Sequence, residues 1–294
     1  METKKKKIGF ILNPYAGIGG KAGLKGSDNY KKIEKLLLEG CERTASKRAE
    51  SCMSKIADLT ASLVAGDKGL VGEKNFSILS APGDMGEALL EKLKIPCDVV
   101  LCPKADTSSA EDTKLCAQIM KEQGVDLLVF CGGDGTARDI CEAVGTDVTV
   151  LGIPAGVKMY SACYACNPYQ AGEMLAGWLE GKEMSYEMRE VLDIEEKDLD
   201  SRNISPQLYG FLEVLSDGKH LQKAKELDLG SGESATIIAR AAILRMEKDW
   251  VYIIGPGGTT WKIKELLCEN DEREDTGKKN VHGTVRGVDV IRNG

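Results

Sequence analysis

The chain lacks the features that mark several large protein classes. No stretch reaches the ~18 consecutive apolar residues that a membrane-spanning helix needs, and the N-terminus has no apolar core of the kind that builds a secretory signal. Positive charge is not in excess. The formal net charge is −7, which argues against a general nucleic-acid-binding surface. The one basic run, Lys4-Lys5-Lys6-Lys7, leads straight into an apolar segment and reads as a solvated terminus, not a membrane or DNA patch. Histidine is scarce: the chain has two, His220 and His282, far apart in sequence. The single Cys-x-x-Cys, Cys163 to Cys166, has no second pair and no spaced histidines to complete a zinc site. The ten cysteines are scattered through apolar stretches, as buried small side chains are in a reducing compartment. No Gly-Lys-Ser/Thr stands at the spacing of a Walker A loop, and no repeat or low-complexity tract is present. These absences together lead to the expectation of a cytoplasmic protein whose partner is a small molecule, with neither nucleic acid nor membrane involved.

What is present fits a globular chain of two modest domains: 294 residues, 42% hydrophobic and 29% charged. Short apolar runs alternate with helical patterns. Strands are expected at Ile8–Leu12, Asn75–Ser80, Cys97–Cys102, Val125–Phe130 and Val148–Ile153. Helices are expected near Tyr30–Glu39, over Arg43–Val64, before Leu93, up to Gln123, over Ala137–Val144 and over Pro168–Leu179. That alternation implies an α/β fold with a doubly wound, mostly parallel sheet. The texture changes near Gly181, so residues 1–181 are read as an N-terminal α/β domain and 182–294 as a second, more β-rich domain. There Met184–Ile194, Leu208–Leu215, Trp250–Ile254 and Val288–Ile291 read as extended, with helices over Ile237–Met246 and Trp261–Leu267. The last strand runs into Asn293-Gly294, a strong hairpin dipeptide, with no returning strand after it. The second domain is therefore expected to be incomplete, with an unpaired edge that favours association between copies.

The most informative segment is Cys131-Gly132-Gly133-Asp134-Gly135-Thr136, at the exit of the apolar run Val125–Phe130 and the entry of a helix. Ligands of open α/β sheets bind along that edge. Glycines let backbone approach a phosphate closely, and a helix N-terminus supplies unpaired N–H groups with partial positive charge. Asp134 is the one carboxylate in the loop. It would repel a phosphate unless it holds a metal ion or takes a proton, and that combination suggests phosphoryl transfer with Mg²⁺. Three further segments carry similar chemistry. Asn13-Pro14-Tyr15-Ala16-Gly17-Ile18-Gly19-Gly20 follows the first strand. Pro154 to Ala162 follows the fifth and carries Lys158 as its sole cation, which either pairs with a phosphate or is an ordinary surface lysine. Gly255-Pro256-Gly257-Gly258-Thr259-Thr260 opens a helix, where the two threonines serve either as caps or as donors to a phosphate or ribose.

Gly132 to Thr136 resembles the signature shared by NAD kinases, diacylglycerol kinases and sphingosine kinases. With the Asn13-Pro14 loop, Pro154-Ala155-Gly156-Val157-Lys158-Met159 and Gly255-Pro256-Gly257 in this order, the chain resembles the ATP-NAD kinase/AcoX-like branch of that superfamily. The resemblance implies a two-domain kinase using ATP and Mg²⁺, with Asp134 as the base or metal-linked carboxylate facing an acceptor hydroxyl. Asn13, Pro14, Gly17, Gly19, Gly20, Gly132, Gly133, Gly135, Thr136 and Lys158 would then hold the nucleotide, and Gly257, Gly258, Thr259 and Thr260 a phosphate or the substrate. NAD is the first candidate acceptor. No Asn-Glu pair of the kind NAD kinases use for the nicotinamide nucleotide stands out, so the acceptor stays open. A lipid kinase of the diacylglycerol kinase type and a non-catalytic nucleotide-binding homologue are the alternatives.

Overall fold

The computed structural model describes residues 5–18, 43–64, 76–102, 108–156, 159–193, 206–222, 232–255, 258–271 and 289–292. The helix expected near Tyr30–Glu39 and the candidate residues Gly19, Gly20, Lys158 and Gly257 lie outside them. The chain forms two compact units, Met1–Lys225 and Glu226–Gly294.

The first unit is built on a seven-stranded sheet. Its strands are β1 (Lys6–Leu12), β2 (Phe76–Ser80), β3 (Asp98–Val99), β4 (Leu127–Gly132), β5 (Val150–Pro154), β6 (Ser185–Asp193) and β7 (Gln207–Ser216). They lie in the order β3-β2-β1-β4-β5-β7-β6, parallel except for the β6–β7 pair. From β1 the chain winds outward through β2 and β3, then returns and winds the other way from β4. The strand order therefore reverses between β1 and β4, the topological position at which open α/β sheets form a ligand crevice beyond the carboxyl ends of their strands.

Every residue of β4 is buried. Side chains alternate faces along a strand, so both faces of the sheet must be covered. Two helix pairs cover it: α1 (Thr44–Val64) packs with α5 (Pro168–Leu179), and α3 (Ala110–Glu122) packs with α4 (Asp134–Val144). The short α2 (Glu87–Lys92) follows β2. Local chemistry explains where these helices start. Ser109 accepts from Asp112 N at 3.2 Å while the Asp112 carboxylate accepts from Ser109 N at 2.8 Å, a reciprocal cap on α3. Asn167 accepts from Gln170 N at 2.9 Å on α5, which has proline at its first position. Helix α4 differs: Gly133 at its N-cap supplies no side chain.

The edge of β5 is shared. β7 pairs with it only at Val150↔Val214. Farther along, Gly152 bonds with the incoming segment Cys163–Ala165: Gly152 N donates to Cys163 O at 3.1 Å and Ala165 N to Gly152 O at 2.9 Å. The other side of that segment meets Leu221 and its neighbour, Gln222 N donating to Tyr164 O at 2.8 Å. The chain after β5 is thus woven back into the sheet.

Three expectations change. The compact units divide after Lys225, not near Gly181, because β6 and β7 hydrogen-bond into the sheet of the first unit. The apolar run Cys97–Cys102 yields only the two-residue β3. The last strand is paired: β9 (Asp289–Arg292) lies antiparallel to β8 (Val251–Ile254), with Tyr252 opposite Ile291. The second unit also holds α6 (Gly232–Leu244) and α7 (Gly258–Asp271), which pack on each other.

A methyl group added at Gly152 would lie 2.6 Å from Cys163 O and 2.6 Å from a ring carbon of Tyr164. Gly152→Ala is expected to lower stability by about 1–3 kcal/mol through this overlap. The urea midpoint of the purified variant checks it.

Candidate active site

Three strand exits meet at the crevice. After β1, Asn13 N donates to Cys131 O at 2.9 Å, and the Asn13 side-chain oxygen accepts from Tyr15 N at 3.1 Å, which turns the chain. The Asn13 amide then donates to Thr136 Oγ1 at 2.9 Å, tying the β1 exit to the first turn of α4. Pro14 is buried beside it. Gly17 has φ +79°, and a Cβ there would sit 2.4 Å from Ala155 O. Glycine at 17 thus permits both the left-handed turn and the close approach of the β1 exit to the β5 exit. Arg48 on α1 reinforces that loop, donating to Pro154 O at 3.1 Å and Gly156 O at 3.2 Å.

The glycines after β4 play different parts. A Cβ on Gly132 would lie 2.3 Å from the Thr136 Cβ, so this glycine makes room for the buried Thr136. Gly133 is extended, with φ −108° and ψ −173°. A Cβ there meets nothing within 4 Å among the described residues. Asp134 begins α4 three residues before the helix start expected from sequence. Its two carboxylate oxygens accept from Tyr160 N and Ser161 N, each at 2.9 Å. The Ser161 hydroxyl, almost fully buried, donates to Leu192 O at 2.8 Å and accepts from Leu192 N at 3.0 Å. A line of hydrogen bonds thus runs from α4 through the β5 exit to the end of β6.

Tyr164 closes the floor. It is fully buried, packs edge-to-face on Phe130 with ring centroids 5.4 Å apart, and donates to Gly133 O at 2.6 Å. Burial, then the neighbouring Cys163, Asp134, Cys131 and Asp193, hold its pKa well above the usual phenol value, so the hydroxyl stays a donor. At the end of β6, Asp193 accepts from Arg138 Nη1 at 3.0 Å. The Arg138 guanidinium also stands over the Tyr209 ring, 5.3 Å from its centroid. Burial opposes the charge on Arg138, but Asp193, Tyr209 and Asp139 outweigh it and its pKa is raised.

The arrangement is an uncapped helix N-terminus behind an open glycine, at the point where the strand order reverses. Residues 8–183 match the family model of the ATP-NAD kinase N-terminal domain. The chain belongs to the ATP-NAD kinase family. Neither the curated proteins nor the solved structures include a match to it. The family's match spans β1 through α5 and so includes all three converging strand exits.

Of the candidate residues, the structure brings together Asn13, Pro14, Gly17, Gly132, Gly133, Asp134, Gly135 and Thr136 around this crevice. Gly258, Thr259 and Thr260 form the first turn of α7 in the second unit, with Thr259 exposed and Thr260 half-buried. Among the described residues, no three acidic, histidine or cysteine side chains cluster to hold a metal ion. Sequence reasoning missed Arg48, Arg138, Ser161, Tyr164 and Asp193. Ser161 and Tyr164 lie in or just after a segment already singled out. Arg48, Arg138 and Asp193 carry no local signal, since their partners stand 55 or more residues away.

Replacing Asp134 with Asn leaves one acceptor oxygen facing two N–H donors. Asp134→Asn is expected to cost about 1–3 kcal/mol of stability, because one backbone donor loses its partner. Thermal unfolding of the variant beside wild type reads this directly; an unchanged midpoint would show that the Tyr160–Ser161 backbone does not depend on the carboxylate.

Proposed function

We propose that this protein transfers a phosphoryl group from ATP to a hydroxyl of a small molecule, NAD being the first acceptor to test. The observation that carries the reading is the open N-terminus of α4 at Gly133, set at the strand reversal in a chain of the ATP-NAD kinase family. Phosphoryl transfer asks a protein chiefly for positioning and charge stabilisation, and the first turn of α4 supplies backbone N–H groups of fixed direction. Gly133 leaves the approach path clear. Asn13 and Thr136 hold the β1 exit against the same turn, and Gly17 lets it lie close to the β5 exit.

The donor set suits magnesium carried on nucleotide phosphates. Mg²⁺ keeps several waters and takes few protein ligands when bound with phosphates, and the described residues offer Asp134 there without a cage of acidic side chains. Asp134 is the residue that would hold such an ion, through water, while the metal would neutralise developing phosphate charge. The carboxylate of Asp134 keeps Tyr160 and Ser161 against the loop, which fixes the wall opposite the phosphates.

Incubation of the purified protein with Mg-ATP and a panel of NAD, nucleosides, sugars and diacylglycerol tests the reaction. Phosphorylated NAD is the expected product. Phosphorylated diacylglycerol in its place would select a lipid kinase, and ATP binding without any product a nucleotide-binding homologue.

Gly133→Val separates a phosphate cradle from a plain turn. The extended backbone suits valine and a Cβ there meets no atom of the described residues within 4 Å, so stability should change by about 1 kcal/mol or less. ATP affinity should fall about tenfold or more, as the branched side chain occupies the phosphate path. Calorimetric titration of ATP into both proteins reads the difference; equal affinities would make the loop a turn only.

A further inference from the structure

Asp134 has both carboxylate oxygens engaged by backbone donors. A second carboxylate reaches the same helix turn from a distant strand. A methyl group built on Gly135 would meet, outside its own helix and chain neighbours, a single protein atom within 4 Å among the described residues: Asp193 Oδ2, at 3.8 Å. Beside Gly133 the corresponding space is empty of described protein atoms. Asp193 therefore stands over one end of an otherwise open glycine floor. Its place is fixed. The preceding residue, Leu192, is held at both its N–H and its carbonyl by Ser161, whose own N–H is held by Asp134. Arg138, one turn beyond Asp134 on α4, donates to Asp193 and rests on Tyr209. The Asp193 side chain keeps 17% of its surface exposed.

The chemistry limits what this carboxylate can receive. It repels a phosphate. The Arg138 guanidinium at 3.0 Å from the same oxygen disfavours a divalent cation there. An O–H donor is the complementary neutral group, since an ionised carboxylate is acceptor-only with several lone-pair positions. We propose that Asp193, oriented by Arg138, binds the acceptor's hydroxyl groups, one glycine away from the phosphate path at Gly133. The proposal rests on the kinase reading for the neighbouring phosphate site. It assigns hydroxyl recognition to the end of β6 and leaves to Asp134 the positioning of the loop and the water-mediated hold on magnesium. The ligand class is a polyol or ribose-bearing molecule, and NAD is its probe.

The experiment measures binding of NAD, and separately of ATP, by titration calorimetry without magnesium, for wild type, Asp193→Asn and Asp193→Glu, each checked for folding by circular dichroism. Asp193→Asn is expected to weaken NAD binding about tenfold or more, because a charge-assisted hydrogen bond is lost. Its ATP affinity should stay within about threefold. Asp193→Glu, which keeps the charge, should lose less NAD affinity than the amide does. Phosphoryl transfer to NAD is scored in parallel. Asp193-dependent NAD binding without transfer would support hydroxyl recognition while overturning the kinase assignment. Transfer with NAD affinity unchanged in Asp193→Asn would leave the kinase assignment standing and overturn the role of Asp193. A wild-type protein that does not bind NAD would overturn it as well.

Discussion

Three loops leave the carboxyl ends of β1, β4 and β5, and the carboxylate of Asp134 helps hold the third of them against the second. Parallel strands diverge in their exits, since each chain must turn away to start a helix. Nothing in the sheet ladder itself joins Tyr160 and Ser161 to α4. The two hydrogen bonds from their backbone to Asp134 do so, and bonds to an ionised acceptor are stronger than neutral ones. The same contact satisfies two backbone donors that would otherwise be costly in a half-buried position. It also places a negative charge in the first turn of α4, where the helix dipole favours it. The Ser161 hydroxyl then extends the hold to Leu192 and the end of β6.

Contrast among the helices sets α4 apart. α3 and α5 begin with side-chain caps, Ser109 and Asn167. α4 begins at Gly133, which has none. A Ser or Asp at that position would cap the helix, worth about 1 kcal/mol. It would also occupy the backbone N–H groups that the proposed reading assigns to a phosphate. Gly132 and Gly17 serve differently. Each admits a neighbour that a Cβ would strike, Thr136 in one case and the Ala155 carbonyl in the other. One short glycine run therefore combines a packing requirement at 132 with space at 133 that is open among the described residues.

The second unit has its own pairing, β8 with β9, and its own helix pair. Several of its apolar side chains, among them Ile237, Leu244, Ile253 and Val290, are exposed. A two-stranded ribbon is marginal by itself and takes its stability from packing partners; the same unit holds α6 and α7.

Sequence by itself determined most of the elements and the strand exits on which the proposed site rests. Apolar runs bounded by glycine and polar caps located β1, β2, β4 and β5, and Asn167-Pro168 marked the start of α5 at its observed residue. The alternation of strands with helices implied the parallel sheet, and Gly132–Thr136 at a strand exit marked the crevice. Those are local signals, set by backbone chemistry over a few residues. The tertiary structure alone decided which unit β6 and β7 belong to. β6 is an edge strand with many exposed positions, so its pattern does not resemble the buried strands beside which it lies. A single parallel pair, Val150↔Val214, joins β7 to β5, and no periodicity reports one pair. The same holds for Arg138 and Asp193, 55 residues apart in sequence and 3.0 Å apart in space. Each is an ordinary charged residue along the chain. Chain folding, driven by burial of the sheet, brings the end of β6 over α4 and sets a second carboxylate beside the glycine floor.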